Sequence, residues 1–351
     1  MMAADGLTAS LEILELDETM AASWDGFVES HPEATFFHRS GWRQVIESSF
    51  GHGCHFLYAR SGGRVCGVLP LVHVNSRLFG NALISTAFCV YGGPVAVDEM
   101  ARAALEAEAL DLARRLGVDY LEFRLRAPSG AGWARNDELY ATFRKELAPD
   151  PERNLAAVPR KQRAMIRKGI RFGLKGEIDP GVDRFYRLYA ESVRNLGTPV
   201  FSKRYFESLK ATFGDACEVL TIVHGDIPVD GVMSFYFRDE VLPYYGGGSA
   251  QARRLAANDF MYWETMRRAC EKGCRTFDFG RSKRGTGSFA FKKHWGFSPQ
   301  PLSYEFKLFG GNTIPSINPT NPKYQTAIAF WKWLPLAVAN RLGPLISKDL
   351  G

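Results

Sequence analysis

The run Phe277 to Phe297, FDFGRSKRGTGSFAFKKHWGF, concentrates the residues best suited to chemistry. Phe277 and Phe279 alternate with Asp278, the pattern of a short strand with one face buried. A loop rich in Gly, Ser and Thr follows from Gly280 to Ser288, carrying Arg281, Lys283 and Arg284 and no acid. The segment Phe289 to Trp295 then sets Lys292, Lys293 and His294 among aromatics. Glycine lets backbone N–H groups approach a phosphate closely, and Arg and Lys complete its charge. Strand end, small-residue loop and cationic segment therefore form a cradle for an anionic ligand. A basic surface loop after a core strand is the plainer alternative.

A second constellation lies upstream. A strand from Val241 to Tyr245, a loop from Gly246 to Ala257 and a helix from Asn258 set a helix N-terminus just past a strand end. Free N–H groups and the positive helix end favour phosphate or a developing oxyanion there. Arg253 and Arg254 lie in its approach, while Asp259 suits a cap or dipole partner better than a base. Of Tyr244 and Tyr245, one phenol faces the cleft and the other packs; Tyr262 and Trp263, on the helix, read as core.

Charge points the same way. Lys and Arg number 44 against 38 Asp and Glu, and Arg153 to Lys175 alone holds eight of the bases and no acid. With those eight set aside, the acids outnumber the bases, so the excess is one patch containing Arg160, Lys161, Arg163, Arg167 and Lys168. Such a patch attracts the phosphates of a nucleotide, CoA, tRNA or anionic lipid headgroups, unless it is only a solvated helix face.

Other chemistries lack their motifs. There is no nucleophile elbow, Walker A loop or dinucleotide fingerprint, and Gly246-Gly247-Gly248 alone is weak. His52, Cys54 and His55 lie close together, yet no second cluster supplies the remaining ligands, so no metal is expected. The six cysteines are scattered without a CxxC pair or a secretory leader, which fits a reducing cytoplasm.

The elements that must position these residues alternate in an α/β order. Strands are predicted at Leu11–Leu16, Phe56–Ala59, Val65–Val74, Ala82–Tyr91 and Tyr120–Leu125. Helices fall at Thr19–Ser30, at Gly41–Phe50 with Ser40 as N-cap, and at Glu99–Leu116, ending at Gly117. The second half repeats this order. Phe37 to Trp42 followed by Phe50-Gly51 matches Phe201 to Phe206 followed by Phe213-Gly214. Tyr91-Gly92-Gly93 returns as Tyr245-Gly246-Gly247, helix 99–116 as 258–272, and strand 121–124 as 277–280. A period of roughly 155 to 164 residues fits a duplicated domain rather than a solenoid. The expected division is residues 1–150, 151–310 with the active site, and a tail at 311–351.

Five segments together resemble the FemAB-like proteins associated with the exosortase/PEP-CTERM system. They are FDFGRSKRGTGSFAFKKHWGF, PRKQRAMIRKGIRFGL (Pro159 to Leu174), RNLGTPVFSKRYF (Arg194 to Phe206), PYYGGG (Pro243 to Gly248) and the tail from Asn321 to Pro344. The resemblance implies tandem GNAT (acetyltransferase-type) domains, mixed central sheets flanked by helices, in agreement with the duplication. It implies an N-acyltransferase whose donor co-substrate is aminoacyl-tRNA or acyl-CoA, with no other cofactor. The acceptor would be an amine of an envelope precursor or a lipid; DNA is not an expected partner. The FemAB pattern is matched by Phe291-Lys292-Lys293-His294-Trp295-Gly296, which points to Lys292 as the functional lysine, stabilising an oxyanion or holding phosphate. Pairing of Lys292 with Asp278 or a backbone carbonyl is the alternative. His294 is a candidate proton acceptor, or a hydrogen-bonded structural histidine. Arg281 and Lys283 would line the reaction end. The absence of a long charged helical-hairpin insertion weighs against tRNA.

Thr326 to Ile346 is apolar but interrupted by Lys332, Pro335, Asn340, Arg341 and Pro344, unlike a spanning helix. Trp331 and Trp333 around Lys332 suit a segment lying at the inner face of the cytoplasmic membrane, and a helix docked on the protein's own core is the alternative. A membrane contact favours long-chain acylation of an amino lipid or sphingoid base. A non-catalytic binding protein for an anionic glycan or lipid precursor is the reading from another class.

Overall fold

A computed structural model describes residues 10–76, 79–311, 313–314 and 322–350. Two mixed sheets organise it. The first runs Glu12–Glu15, Gly53–Ser61, Arg64–Ser76, Gly80–Ser85, Tyr120–Leu125, Ser303–Leu308, Ala134–Asn136, with Val95–Ala96 paired to the third strand. The second runs Leu174–Asp179, Cys217–His224, Ile227–Phe237, Glu240–Gly248, Thr276–Asp278, Arg144–Glu146.

Each sheet contains one parallel pair joined by a helix. Gly80–Ser85 and Tyr120–Leu125 are joined through Glu99–Leu116, and Glu240–Gly248 and Thr276–Asp278 through Ala257–Glu271. Hairpin, strand, helix and strand thus occur twice in the same order. The two sheets also exchange strands: Arg144–Glu146 completes the second, and Ser303–Leu308 enters the first beside Tyr120–Leu125. Their shared core is aromatic, since Phe36 stacks on Phe235 with ring centroids 4.5 Å apart and Trp42 packs on Phe213. Helix Gly41–Phe50 meets helix Lys203–Phe213 so closely that a Cβ on Gly41 would lie 2.8 Å from Thr212.

Local predictions fare unevenly. Helix Glu99–Leu116 forms as expected, with the Asp98 carboxylate accepting the Ala101 N–H and left-handed Gly117 at its end. Ser40 does not cap its helix; its N–H and hydroxyl both donate to the Asp25 carboxylate, 2.8 Å each, and its own backbone is already helical. The strand predicted to reach Tyr91 stops at Ser85, because Thr86 and Phe88 take positive φ angles that break the ladder.

The tail forms helices Pro322–Trp333 and Leu336–Ser347. One side docks: a Cβ on Gly343 would lie 2.8 Å from the Val200 nitrogen, and the Ser347 hydroxyl donates to the Val200 carbonyl at 3.0 Å. The other side presents Phe330, Val338, Leu342 and Leu345, with Trp333 90% exposed. Among the described residues no helix is long and apolar enough to cross a membrane. Of the expected tail, residues 312, 315–321 and 351 lie outside the described residues.

Candidate active site

The decisive local feature is a parted strand pair. Glu240–Gly248 and Thr276–Asp278 pair only at Glu240 with Thr276 and Val241 with Phe277, then separate. Beyond Val241 the first strand continues along Ile227–Phe237 with Tyr244 bulged, and among the described residues its other edge has no strand partner. Free backbone donors and acceptors on such an edge suit an amide-bearing ligand laid alongside. Ala256 turns left-handed (φ 57°) and starts the helix Ala257–Glu271.

At that helix start lies a cavity of about 480 Å³, lined among others by Ser192, Asp230, Gly248, Arg253, Asp259 and Phe291. The sequence predicted an anion here, with Arg253 and Arg254 in attendance. The structure puts both arginines on the short helix Ala252–Leu255, exposed, and sets two carboxylates beside the helix start. Asp230 is one of them, and the sequence reading missed it. It sits inside an apolar strand pattern, at VDGV, and no motif singles it out. It is 1% exposed, accepts the Gly231 N–H at 2.9 Å, and burial pushes its carboxyl up to about 7. Burial also raises Asp259, which accepts the indole N–H of fully buried Trp295 at 3.0 Å.

A second cavity, about 700 Å³ and mostly apolar, opens between the first sheet, the loop after helix Asp183–Leu196 and the tail helices. Its polar lining includes the buried ion pair Arg124–Glu122 (2.8 Å), Tyr140, Tyr304 and Arg281. Arg281 donates to the Tyr304 hydroxyl at 3.0 Å and lies 4.4 Å from the centre of the Tyr140 ring. Among the described residues no carboxylate pairs with it, so its remaining donors are available to an anionic group. The two cavities share Leu196.

The residues expected at the reaction end divide by role. Lys292 is buried, and its ammonium donates to the carbonyls of Phe279 (2.6 Å), Gly280 (2.9 Å) and Arg281 (3.2 Å). Those three bonds use all its donors. Lys292 therefore pins the loop that carries Arg281 and, in this state, reaches neither an oxyanion nor a phosphate. Burial pushes it down to about 7, while the Asp278 carboxylate pulls the other way. Asp278 is fully buried and committed to Tyr91, Thr142, Arg144 and the Gly280 N–H, so it joins the halves instead of meeting substrate. Arg144 also bridges to Glu240, whose carboxyl is pushed up to about 7 by burial and then by Asp278.

His294 is exposed at the end of helix Gly287–His294 and lines neither cavity. Lys283 pairs through strand Ser282–Lys283 with Tyr140–Thr142. Neither Tyr244 nor Tyr245 turns to a cavity: Tyr244 donates to the Phe88 carbonyl (3.2 Å) and Tyr245 shares a hydroxyl contact with Tyr205 (2.8 Å). The bulge at Tyr244 breaks the alternation that would have turned one outward. Tyr262 is half-buried rather than core; a Cβ on Gly246 would lie 3.8 Å from its hydroxyl. His52 bonds the Lys348 carbonyl at 2.6 Å and Cys54 is buried.

The basic segment forms helix Arg160–Arg171, which buries Gln162, Ile166 and Gly169 against helix Ala257–Glu271. Arg160, Lys161 and Arg167 are exposed, Lys168 is half-buried, and Arg163 donates to the Ala156 carbonyl at 2.7 Å. None of the five has an acidic partner among the described residues. Met165 of the same helix lines the cavity at Asp230, so this positive face borders that cavity.

Residues 156–293 match the acetyltransferase (GNAT) domain family. That span holds the parted strands, the helix start and Lys292. Among solved structures, FemX superposes with a TM-score of 0.66 at 15% identity, covering 90% of this chain and all of its own. The C-terminal domain of a putative lysylphosphatidylglycerol synthetase from Agrobacterium fabrum gives 0.58 at 15% identity, covering 84% of this chain and 92% of its own. A tandem GNAT protein of the clavulanic acid biosynthesis pathway gives 0.54 at 16% identity, covering 87% and 100%. No curated protein sequence matches the chain. The fold is a mixed α/β tandem of GNAT-like units.

Proposed function

We propose that the protein is an N-acyltransferase that moves an acyl group from acyl-CoA to the amine of a lipid or an amphiphilic envelope precursor. The observation that carries this reading is the parted strand pair with a helix start and a cavity at its mouth, inside the span that matches the GNAT domain. The donor's amide-bearing arm lies along the free edge beyond Val241, and its phosphates meet the exposed bases of helix Arg160–Arg171 and Arg253. The acceptor's apolar body occupies the larger cavity, with an anionic headgroup on Arg281. The exposed face of the tail, Phe330, Trp333, Leu342 and Leu345 with Lys332 and Arg341 beside it, rests on the inner face of the cytoplasmic membrane and brings the amphiphile to that cavity. On this reading, two units near residues 1–150 and 151–310 work as one body through their exchanged strands.

A second reading keeps the acceptor and changes the donor to aminoacyl-tRNA. It is favoured by the likeness to FemX and to the lysylphosphatidylglycerol synthetase domain and by the unpaired basic helix. The resemblance to exosortase/PEP-CTERM-associated proteins supports an envelope substrate in either case. Thermal unfolding of the purified protein with CoA, a long-chain acyl-CoA and a charged tRNA pool, at two salt concentrations, separates the donors. Ligand at a hundredfold its dissociation constant adds about 2.7 kcal/mol of stability. Stabilisation by acyl-CoA that survives added salt supports the first reading, and stabilisation by charged tRNA alone supports the second. Silence from both leaves a binding protein for an anionic precursor.

A further inference from the structure

Helix Arg160–Arg171 carries more positive charge than the phosphates of a small donor can meet. At about 100° per residue, buried Gln162, Ile166 and Gly169 occupy one side, and Arg160, Arg167 and Arg171 fall on the opposite one, flanked by Lys161 and Lys168. The stripe runs about 16 Å from Arg160 to Arg171, or about three turns, where a phosphate group covers one. Its C-terminal half adjoins the cavity at the start of helix Ala257–Glu271, since a Cβ on Gly169 would lie 2.9 Å from Phe260. The other end leads away from that cavity to Gly296, whose Cβ would lie 3.2 Å from Pro159. There the positive surface continues with exposed Lys293, whose carbonyl accepts the Gly296 N–H at 2.9 Å. Carboxylates on the neighbouring helix and strand are engaged elsewhere: Glu264 pairs with Arg267, Glu177 with Arg184, and Asp259 accepts the Trp295 indole N–H. Ile170 (49% exposed) and Phe172 (43%) add apolar surface among these cations. Arginine and aromatic residues are enriched in protein interfaces, where apolar contact and complementary charge act together. The stripe also lies away from the tail. Gly246 faces helix Ala257–Glu271, on which helix Arg160–Arg171 packs, and Gly247 faces Tyr189 of helix Asp183–Leu196, on which the tail packs. Successive residues point to opposite faces of a sheet, so a tail resting on a membrane leaves the stripe to a soluble partner.

We infer that this surface docks an acidic carrier protein that delivers the acyl group as a thioester on a phosphopantetheine arm. The inference rests on the N-acyltransferase reading and adds a protein partner on its donor side. CoA has the same arm, so acyl-CoA remains a donor and the two enter alike. The amide-bearing arm lies along the free edge beyond Val241, and its phosphate sits at the mouth of the cavity by Arg253. An acidic helix of the carrier lies along the stripe and meets the charges toward Arg160 and Lys293 that CoA leaves unmatched. Complementary charge over that length steers encounter and fixes orientation, and Ile170 and Phe172 add apolar contact. RNA fits this surface less well, because the aminoacyl end of a charged tRNA has no chain of amides for the strand edge and Ile170 offers no ring for a base to stack on. The chemistry is that of a thioester: the neutral amine nitrogen bonds to the acyl carbon and the C–S bond breaks. The arm's sulfur leaves with the bonding pair and takes up one amine proton, so the carrier returns as a free thiol.

The test compares two donors, hexadecanoyl-CoA and the hexadecanoyl form of the acyl carrier protein of bacterial fatty-acid synthesis, with a long-chain primary amine as acceptor. Ile170→Glu with Lys293→Glu alters the stripe outside the donor's phosphate contacts. With the carrier, kcat/KM should fall by about tenfold or more, while with hexadecanoyl-CoA it stays within about twofold. Parallel loss with both donors, or loss with neither, overturns the inference, and so does tighter binding of a charged tRNA pool than of the carrier at the same salt concentration. Should neither thioester yield an amide, the acyltransferase reading fails separately, and calorimetry with the unacylated carrier, its arm in place, still decides the surface. The parent chain should bind it at least tenfold more tightly than Arg160→Glu with Lys161→Glu, whereas equal binding, or none by either, overturns the assignment. All four side chains are exposed, so a melting temperature within about 2 °C of the parent's shows that each variant is folded.

Discussion

Replacing Asp278 by Asn should weaken the whole molecule without touching its ligands. Tyr91 (2.8 Å) and the Arg144 guanidinium (3.1 Å) donate to one carboxylate oxygen, and Thr142 (3.0 Å) and the Gly280 N–H (2.7 Å) donate to the other. Whichever oxygen becomes the amide nitrogen, two donors then face a donor. Reorientation of the Tyr91 hydroxyl relieves part of this, because it already lies 2.5 Å from the Thr142 hydroxyl. What remains is at least one lost charge-assisted bond, and Arg144 is left to Glu240 alone. Hydrogen bonds to charged groups contribute about 1.5–3 kcal/mol each, and breaking a buried pair costs about 3–5 kcal/mol. The expected loss is about 3–4 kcal/mol, or roughly 4–5 °C in melting temperature for a chain of this size. Calorimetry and urea unfolding followed by tryptophan fluorescence measure it. Because Asp278 ties Tyr91, Thr142 and Arg144 to the second half, one cooperative transition should move as a unit. A loss below about 1 kcal/mol, or a separate early transition of one half, would refute the reasoning.

Lys292→Met strands the carbonyls of Phe279, Gly280 and Arg281; stability should fall by about 2–4 kcal/mol in urea titrations and the acceptor KM should rise as Arg281 loosens, with donor affinity unchanged. Asp230 gives stability a sign with pH. Its folded pKa, about 7, lies above the unfolded value of 3.8, so the folded chain holds the extra proton and Asp230's contribution strengthens as pH falls from 7 toward 4. At about 1.36 kcal/mol per pH unit, Asp230→Asn should be about 3–4 kcal/mol more stable than the parent at pH 8 and should lose that advantage near pH 4; a constant difference across this range contradicts the burial argument. Trp333→Glu with Leu345→Glu should reduce co-sedimentation with vesicles containing anionic phospholipid by at least tenfold while shifting the melting temperature by no more than about 1–2 °C, since both side chains are exposed. Unchanged sedimentation removes the membrane contact.

Much of the fold was legible because it is written in periodicity and punctuation. Asp98 and Gly117 bracket their helix, but of the two Tyr-Gly-Gly runs only the second lies in a strand, Glu240–Gly248, while the first falls in the loop beyond Ser85. The exchange of Arg144–Glu146 and Ser303–Leu308 was not legible, because a short strand carries no sign of which neighbour it will join. At the site, the sequence located the FDFGRSK loop and the cationic segment after it, but not that this segment is helical, and composition could not distinguish a lysine that meets ligand from one that holds three carbonyls. Lys292 does the latter. Asp230 escaped notice for the opposite reason: an acid within VDGV reads as an outward strand position until the helices that cover the sheet are in place. Burial, which decides its chemistry, is a tertiary fact.

Release of free thiol from a long-chain acyl-CoA, followed with and without a long-chain primary amine and coupled to mass detection of the amide, tests the proposed activity most directly. The expected result is thiol release that requires the protein, the donor and the amine together, with an amide of matching mass. No amide from acyl-CoA or from charged tRNA, with neither donor stabilising the folded chain, would contradict an acyltransferase role.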